Sequence, residues 1–256
     1  MNNIAKIIFF DILKSKITFV YFIVLALVSW ISFLLEDSLS KGLLTMTYII
    51  LFSVPLMALL YSTIYIYNSK EFITLLLSQP IKRGKLWSSL YTGVSSSLCL
   101  AFLLGAGIPI IIYSFNETGF LIIAMGIGIT LVSVSLAFLI AVLTDDKSVG
   151  IGFSILCWLF FTLLYDAIMM FLLFQFSDYP IDTLTVLLLM LNPVDLARLQ
   201  IMMRLDVSAM MGYSGAVFTT FLGTTLSIIL SFILLVTWIV IPYWLSLKIL
   251  RKKDIT

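Results

Sequence analysis

Six runs of this chain are apolar over the length needed to cross a lipid bilayer: residues 17–35, 43–67, 86–115, 120–143, 149–176 and 218–247. A hydrocarbon core about 30 Å thick takes about 20 apolar residues of α-helix, and each run supplies them. A transmembrane β-barrel is set aside, because its strands read as alternating segments of about ten residues and not as continuous apolar runs. Composition agrees, with 62% of 256 residues hydrophobic, 11% charged and a mean hydropathy of +1.18. The reading is an all-α polytopic membrane protein, one transmembrane domain over 1–256 with six spans.

An even number of spans puts both termini on one side. That side collects twelve of the fifteen basic residues: Lys6, Lys14, Lys16, Lys70, Lys82, Arg83, Lys85, Lys147, Lys248, Arg251, Lys252 and Lys253. Lys41, Arg198 and Arg204 remain for the other side, together with seven acids. Basic residues accumulate on cytoplasmic loops, so both termini are expected in the cytoplasm. The net charge of +2 hides this asymmetry and does not speak for nucleic acid, whose binders gather their charge into a groove or stripe.

Ahead of the first span, Ile4, Ile7, Ile8 and Ile12 recur at helical spacing among Lys6, Lys14 and Lys16, the pattern of an amphipathic interfacial helix. The apolar stretch that follows is span-length and lacks a small-x-small cleavage site, so it is read as a retained span and not as a signal peptide. The loop at 68–85 is the long charged break between spans. In it Phe72, Ile73, Leu75, Leu76 and Leu77 fall on one broad helical face, with Lys70, Glu71, Thr74 and Ser78 opposite. Pro80 should end that helix near Gln79. Lys82, Arg83 and Lys85 then return the chain to anionic headgroups. An ordinary basic loop explains the same charges, since positive charge beside spans is general.

Within the spans, Pro55 and the Gly105, Gly107, Pro109 group predict kinks or thin places. Ser95 to Ser97, Gly126 and Gly128 predict close helix contact, since small residues and hydrogen bonds join helices in lipid. Cys99 and Cys157 sit in spans of a chain with no histidine; they read as small apolar side chains, with no disulfide implied. Asp166 is the one acid inside a span, so it should face protein or water and have a partner. A hydrogen bond to another helix and a functional role both account for it.

The stretch at 177–217, placed on the outer side, is too long for a passive turn. Asn192, Pro193 and Asp195 form a helix start: a cap, a proline at the first helical position, and an acid where the helix dipole favours negative charge. The polar residues that follow, Arg198, Gln200 and Arg204, spread around the helix axis and name no packing surface. Met202, Met203, Met210 and Met211 offer thioethers suited to Cu(I), but methionine is also an adaptable filler of apolar interfaces, and that reading is preferred.

The six spans, the amphipathic N-terminus and the loop ending in Leu77, Ser78, Gln79, Pro80 and Arg83 resemble the permease subunits of the ABC-2 class of ABC transporters. Glu71 and Thr74 stand where that family has an acid and a threonine, while Ile73 replaces its glycine. More narrowly, 191–199 and the Tyr165-Asp166 pair look like the permeases of ABC complexes that help mature the copper centres of nitrous oxide reductase. The resemblance implies a homodimer in the bacterial inner membrane, with both termini cytoplasmic. It further implies a cytoplasmic ATPase subunit carrying ATP and Mg, a periplasmic accessory protein, and a copper chaperone delivering to the complex. On this view Glu71, Phe72, Leu75, Leu76, Gln79 and Arg83 couple to the ATPase, and Asn192, Pro193, Asp195 and Arg198 dock the periplasmic partner.

The residues agree that ATP is hydrolysed elsewhere: Gly84-Lys85 is followed by Leu86, with no phosphate-cradling loop before it. The chain is expected to be no enzyme and to hold no cofactor of its own. Two other readings stand beside this one. An ABC-2 exporter of a lipid, drug or peptide would share the coupling loop without needing the 192–195 motif. A secondary transporter would need intramembrane ion ligands or inverted repeats, and the halves show no repeat.

Overall fold

The computed structural model describes residues 2–78, 82–176, 182–205 and 212–252, and its regular structure is helical throughout these. In chain order the helices are α1 (Asn2–Leu13), α2 (Lys16–Leu35), α3 (Leu39–Asn68), α4 (Lys70–Leu77), α5 (Arg83–Phe102), α6 (Ile108–Tyr113), α7 (Glu117–Leu143), α8 (Lys147–Leu159), α9 (Tyr165–Gln175), α10 (Asp182–Met190), α11 (Pro193–Arg204) and α12 (Gly212–Lys252). One π turn, Leu103–Gly107, joins α5 to α6, and another, Phe160–Leu164, joins α8 to α9. Among the described residues, six helical stretches are long and apolar enough to cross a membrane: Lys16–Leu35, Leu39–Asn68, Arg83–Tyr113, Glu117–Leu143, Lys147–Gln175 and Ile229–Lys252.

Caps, not hydropathy, set where several spans begin. Ser38 accepts the Lys41 N–H at 3.4 Å, so α3 opens at Leu39, four residues before its apolar run. Asn116 accepts from Gly119 at 2.9 Å and Asp146 from Ser148 at 2.7 Å, which start α7 and α8. A cap satisfies one of the N–H groups that the first helical turn leaves orphaned.

The spans α3, α5–α6 and α7 form the interior, and α2 and α8–α9 are covered far less. Gly126 explains how closely α7 meets α5, because a Cβ there would stand 2.2 Å from Phe102 Cζ, and Phe102 is fully buried. Gly105, in the π turn, plays the same part against α2, where a Cβ would come within 2.9 Å of Leu25 Cβ. Pro109 follows in α6, directly after that π turn. The thin place expected at Gly105 and the close contact expected of Gly126 are therefore present. Two apolar clusters fill the bundle. The one at the α4 end joins Ile8 and Ile12 of α1 to Trp87, Phe138 and Leu250, so the first and last described helices share that end. The amphipathic α1 thus lays its isoleucines on protein.

The stretch read as an outer segment behaves differently from that expectation. Helices α10 and α11 form a hairpin that dips into the bundle. Its turn lies at mid-depth: Asn192 Nδ2 donates to the carbonyl of Phe161 at 2.8 Å, and Phe161 is the fifteenth of the 29 residues in Lys147–Gln175. Pro193 and Val194 border a narrow gap with Pro55, halfway along α3, and Ile129, halfway along α7. From there α11 climbs outward until Arg204 Nη1 meets Glu117 Oε2, on the first residue of α7, at 3.3 Å. The hairpin therefore enters from the end opposite α4. Nine residues of α11 are buried, including Pro193, Asp195 and Gln200. Irregular backbone at membrane depth is tolerated where protein buries it and supplies its hydrogen bonds.

Candidate functional site

The hairpin turn is held by a cluster of polar side chains. Asn192 works in three directions: its Oδ1 accepts the Val194 N–H at 3.0 Å as the α11 cap, and its Nδ2 donates both to Phe161 O and, at 2.8 Å, to Asp195 Oδ2. Tyr165 Oη donates to the carbonyl of Leu188, near the end of α10. Both elements of the turn are thus tied to the region of the π turn. Such turns recur at functional sites in helices.

Arg198 completes the cluster. Its guanidinium meets Asp166 as a fork, Nη1 to Oδ2 at 2.7 Å and Nη2 to Oδ1 at 2.6 Å, and Nη2 also donates to Asp195 Oδ1. Bidentate pairs of this kind are among the stronger and more directional protein hydrogen bonds. Asn192, Asp195 and Arg198 recur every third residue, which puts them on one side of α11, turned toward Asp166 on α9. The side chain of Asp195 is 2% exposed and that of Asp166 is 35% exposed, so the inner carboxylate is sealed while the outer one borders an opening. That opening is a cleft of about 480 Å³, lined among others by Tyr48, Phe52, Leu163, Asp166, Val194 and Arg198. The cluster contains no nucleophile poised on a base; what it can do is fasten the hairpin to the fifth span.

The same geometry explains why the polar residues of α11 spread around its axis. Each meets a different helix: Arg198 faces α9, Gln200 Nε2 donates to Ser231 Oγ of α12 at 2.9 Å, and Arg204 faces α7. The partner expected for Asp166 is Arg198, 32 residues away and read from sequence as belonging to the outer side. Asn192, Pro193 and Asp195, given a docking role above, are all buried inside the chain, where they shape the hairpin turn. Met202 is buried too, and Met203 packs against the cluster of Tyr165, Met169, Leu189 and Leu199. Met210 and Met211 lie outside the described residues.

At the opposite end, α4 divides the apolar face that the sequence grouped together. Ile73 is buried and Leu76 half-buried, both against the bundle near Leu86 and Leu250. Phe72 is 42% and Leu75 68% exposed, and Glu71 is exposed beside them. Leu76 thereby helps to anchor α4 while keeping part of its surface exposed. Gln79 and Pro80 lie outside the described residues, and Arg83 opens α5.

No protein-family model matches the chain. Among proteins of known name, it is 28% identical over 79% of its length to the "Probable ABC transporter permease protein NosY" of Stutzerimonas stutzeri, covering 76% of that protein. It is 30% identical over 64% of its length to the protein of the same name from Pseudomonas aeruginosa, of which it spans 64%, just under two thirds. The chain is related to ABC transporter permease subunits. Such permeases are not themselves enzymes, and with six apolar spans the chain is a multi-pass membrane protein. The stretch 191–199 singled out above is the one the structure folds into the turn of the hairpin and the start of α11.

Proposed function

We propose that this permease transmits the motion of a partner ATPase from α4, through the spans, to the hairpin of α10 and α11 at the other end. The observation that carries the reading is the division of α4: Ile73 and Leu76 fix it to the bundle while Phe72 and Leu75 face away. An exposed aromatic and leucine on a short amphipathic helix suit a groove on a second protein. A push on α4 passes to α3 and α5, which it touches. Lys147 Nζ on Asn68 Oδ1, at 2.7 Å, links that same end of α3 to the fifth span. The rigid fork of Arg198 and Asp166 then carries any tilt of that span to α11.

The complex in this reading is a homodimer in the bacterial inner membrane with cytoplasmic termini. The barely covered fifth span and the cleft beside Asp166 support a second copy, because a charged pair at mid-depth should face protein or water and not lipid. Copper-centre maturation of nitrous oxide reductase, with a periplasmic accessory protein and a copper chaperone, is the service suggested by the two named relatives and by the 191–199 stretch. The largely apolar cleft favours a second reading, an exporter of an apolar or amphiphilic cargo.

The test is to replace Phe72 and Leu75 together by Asp and to follow co-purification with the ATPase. The pair lies on the exposed face, so the variant should fold and insert while losing the ATPase and, with it, nitrous oxide reductase maturation. Ile73→Asp should instead destabilise the permease itself, because it buries an unpaired charge. Full ATPase retention by the Phe72 and Leu75 variant would remove α4 from the coupling path.

A further inference from the structure

A second cavity, of about 520 Å³, lies at the α4 end of the bundle where α5 begins and α12 ends. Among the described residues it is lined by Lys82, Arg83, Gly84, Lys85, Ser88 and Arg251, four of them cations and none an acid. Arg251 comes close because position 84 has no side chain, and a Cβ there would stand 3.1 Å from its Nη2. The 20-residue helix α5 starts at this place from Lys82 without a side-chain cap, so the positive end of its dipole adds to the same field. Lys82, Lys85 and Arg251 around one hollow repel each other, and an anion in the hollow relieves that repulsion.

The position of the cavity says which anion. Both helices that build it are spans, and the cavity stands at the first turn of one and the last turn of the other, the level of lipid headgroups. On α12 the residues Trp244, Lys248 and Arg251 follow each other on one face, at spacings of four and three. Trp244 is 55% exposed with Lys248 Nζ 5.0 Å above its ring, an aromatic at the depth where tryptophans gather at membrane interfaces. Arg251 lies about 10 Å further along the axis, beyond that belt. Basic pockets between spans on the cytoplasmic side suit acidic headgroups.

We propose that this cavity holds the phosphate of an anionic phospholipid headgroup, as in phosphatidylglycerol, placed between the end of the coupling loop and α12. The lipid phosphate bridges Arg251 to the residues that follow α4, and its occupancy steadies the junction through which α4 moves.

The experiment uses the full chain in neutral detergent, titrated with phosphatidylglycerol, phosphatidylcholine or inorganic phosphate, and reads bound lipid by native mass spectrometry together with the thermal midpoint. Wild type should retain phosphatidylglycerol and gain stability from it, with little effect of phosphatidylcholine. Each cation near an anionic surface contributes about fivefold in affinity, so Lys85→Gln with Arg251→Gln should weaken retention about 30-fold. Arg251→Lys, which keeps the charge, should retain most of it. Lys14→Gln with Lys16→Gln, which removes the same charge elsewhere at that end, should bind as wild type does. Equal binding by the Lys85 and Arg251 pair and wild type, or equal loss in the Lys14 and Lys16 pair, would overturn the proposal. Stabilisation by millimolar inorganic phosphate equal to that by the lipid would also overturn the lipid assignment, leaving a site for free anions.

Discussion

Removing the guanidinium at 198 should be the most damaging single change at the hairpin turn. Arg198→Met keeps the length and apolar bulk of the side chain but leaves Asp195 and Asp166 without their cation. Breaking a buried pair by deleting one partner costs about 3–5 kcal/mol, because the remaining charge stays desolvated. The full amount applies to Asp195, whose side chain is 2% exposed and would keep one donor, Asn192 Nδ2. Asp166, at 35% exposed, is partly relieved by the opening beside it and adds little more. A loss of about 3–4 kcal/mol is therefore expected, which for a chain of this size lowers the unfolding midpoint by about 10 °C. Asp166→Asn should be milder, about 1–2 kcal/mol, since one amide oxygen still accepts from Arg198 while Asp195 still balances its charge. Asp166→Ala should fall between the two.

The decisive member of the series is the triple variant Asp166→Asn, Asp195→Asn, Arg198→Met. Replacing a whole buried charge cluster by neutral groups is often near neutral, so the triple variant should regain at least half of what Arg198→Met loses. Intrinsic tryptophan fluorescence in detergent is the assay, because Trp158 borders the gap at the turn and Trp238 packs edge-on to Phe161 at 5.3 Å. If Arg198→Met melts with wild type, or if the triple variant is no better than the single one, the charge pairing does not hold the hairpin.

Two further outcomes test other parts of the structure. Gly126→Val should cost about 3 kcal/mol or more, since even its Cβ would overlap the buried Phe102 ring; a second change, Phe102→Leu, should recover part of that in the same melting assay. Replacing Met202, Met203, Met210 and Met211 together by Leu keeps volume and apolarity, so the copper-centre assembly proposed for the complex should survive; its loss with an intact fold would make the thioethers ligands and not filler.

The spans were legible because lipid imposes a length and a polarity that few other constraints override, and the cap at Asn192 was legible because its chemistry is local. Asn192 accepts from Val194, two residues on, with Pro193 and Asp195 in the positions their side chains favour. The division of α4 was not legible. Phe72, Ile73, Leu75 and Leu76 are equally apolar, and which of them turns inward depends on where Leu86, beyond the break at Pro80, and Leu250, far away in sequence, stand.

The hairpin shows where local reading stops for a physical reason. A helix in water puts its polar residues on the side away from protein, so polar positions all around an axis read as a helix touching nothing in particular. Inside a bundle the rule changes: every polar group needs its own partner, and those partners come from whichever helix lies in that direction. Helix α11 is surrounded, and Arg198, Gln200 and Arg204 accordingly answer Asp166, Ser231 and Glu117 on three different helices. A signal was present in the sequence all the same. An acid that lipid cannot tolerate at position 166 and an arginine at 198, one turn past an acid at 195, each demand a counterpart. Pairing them requires the 192–204 stretch to enter the membrane's depth, so an unpaired intramembrane charge and a polar segment called external are, read together, an argument for re-entry.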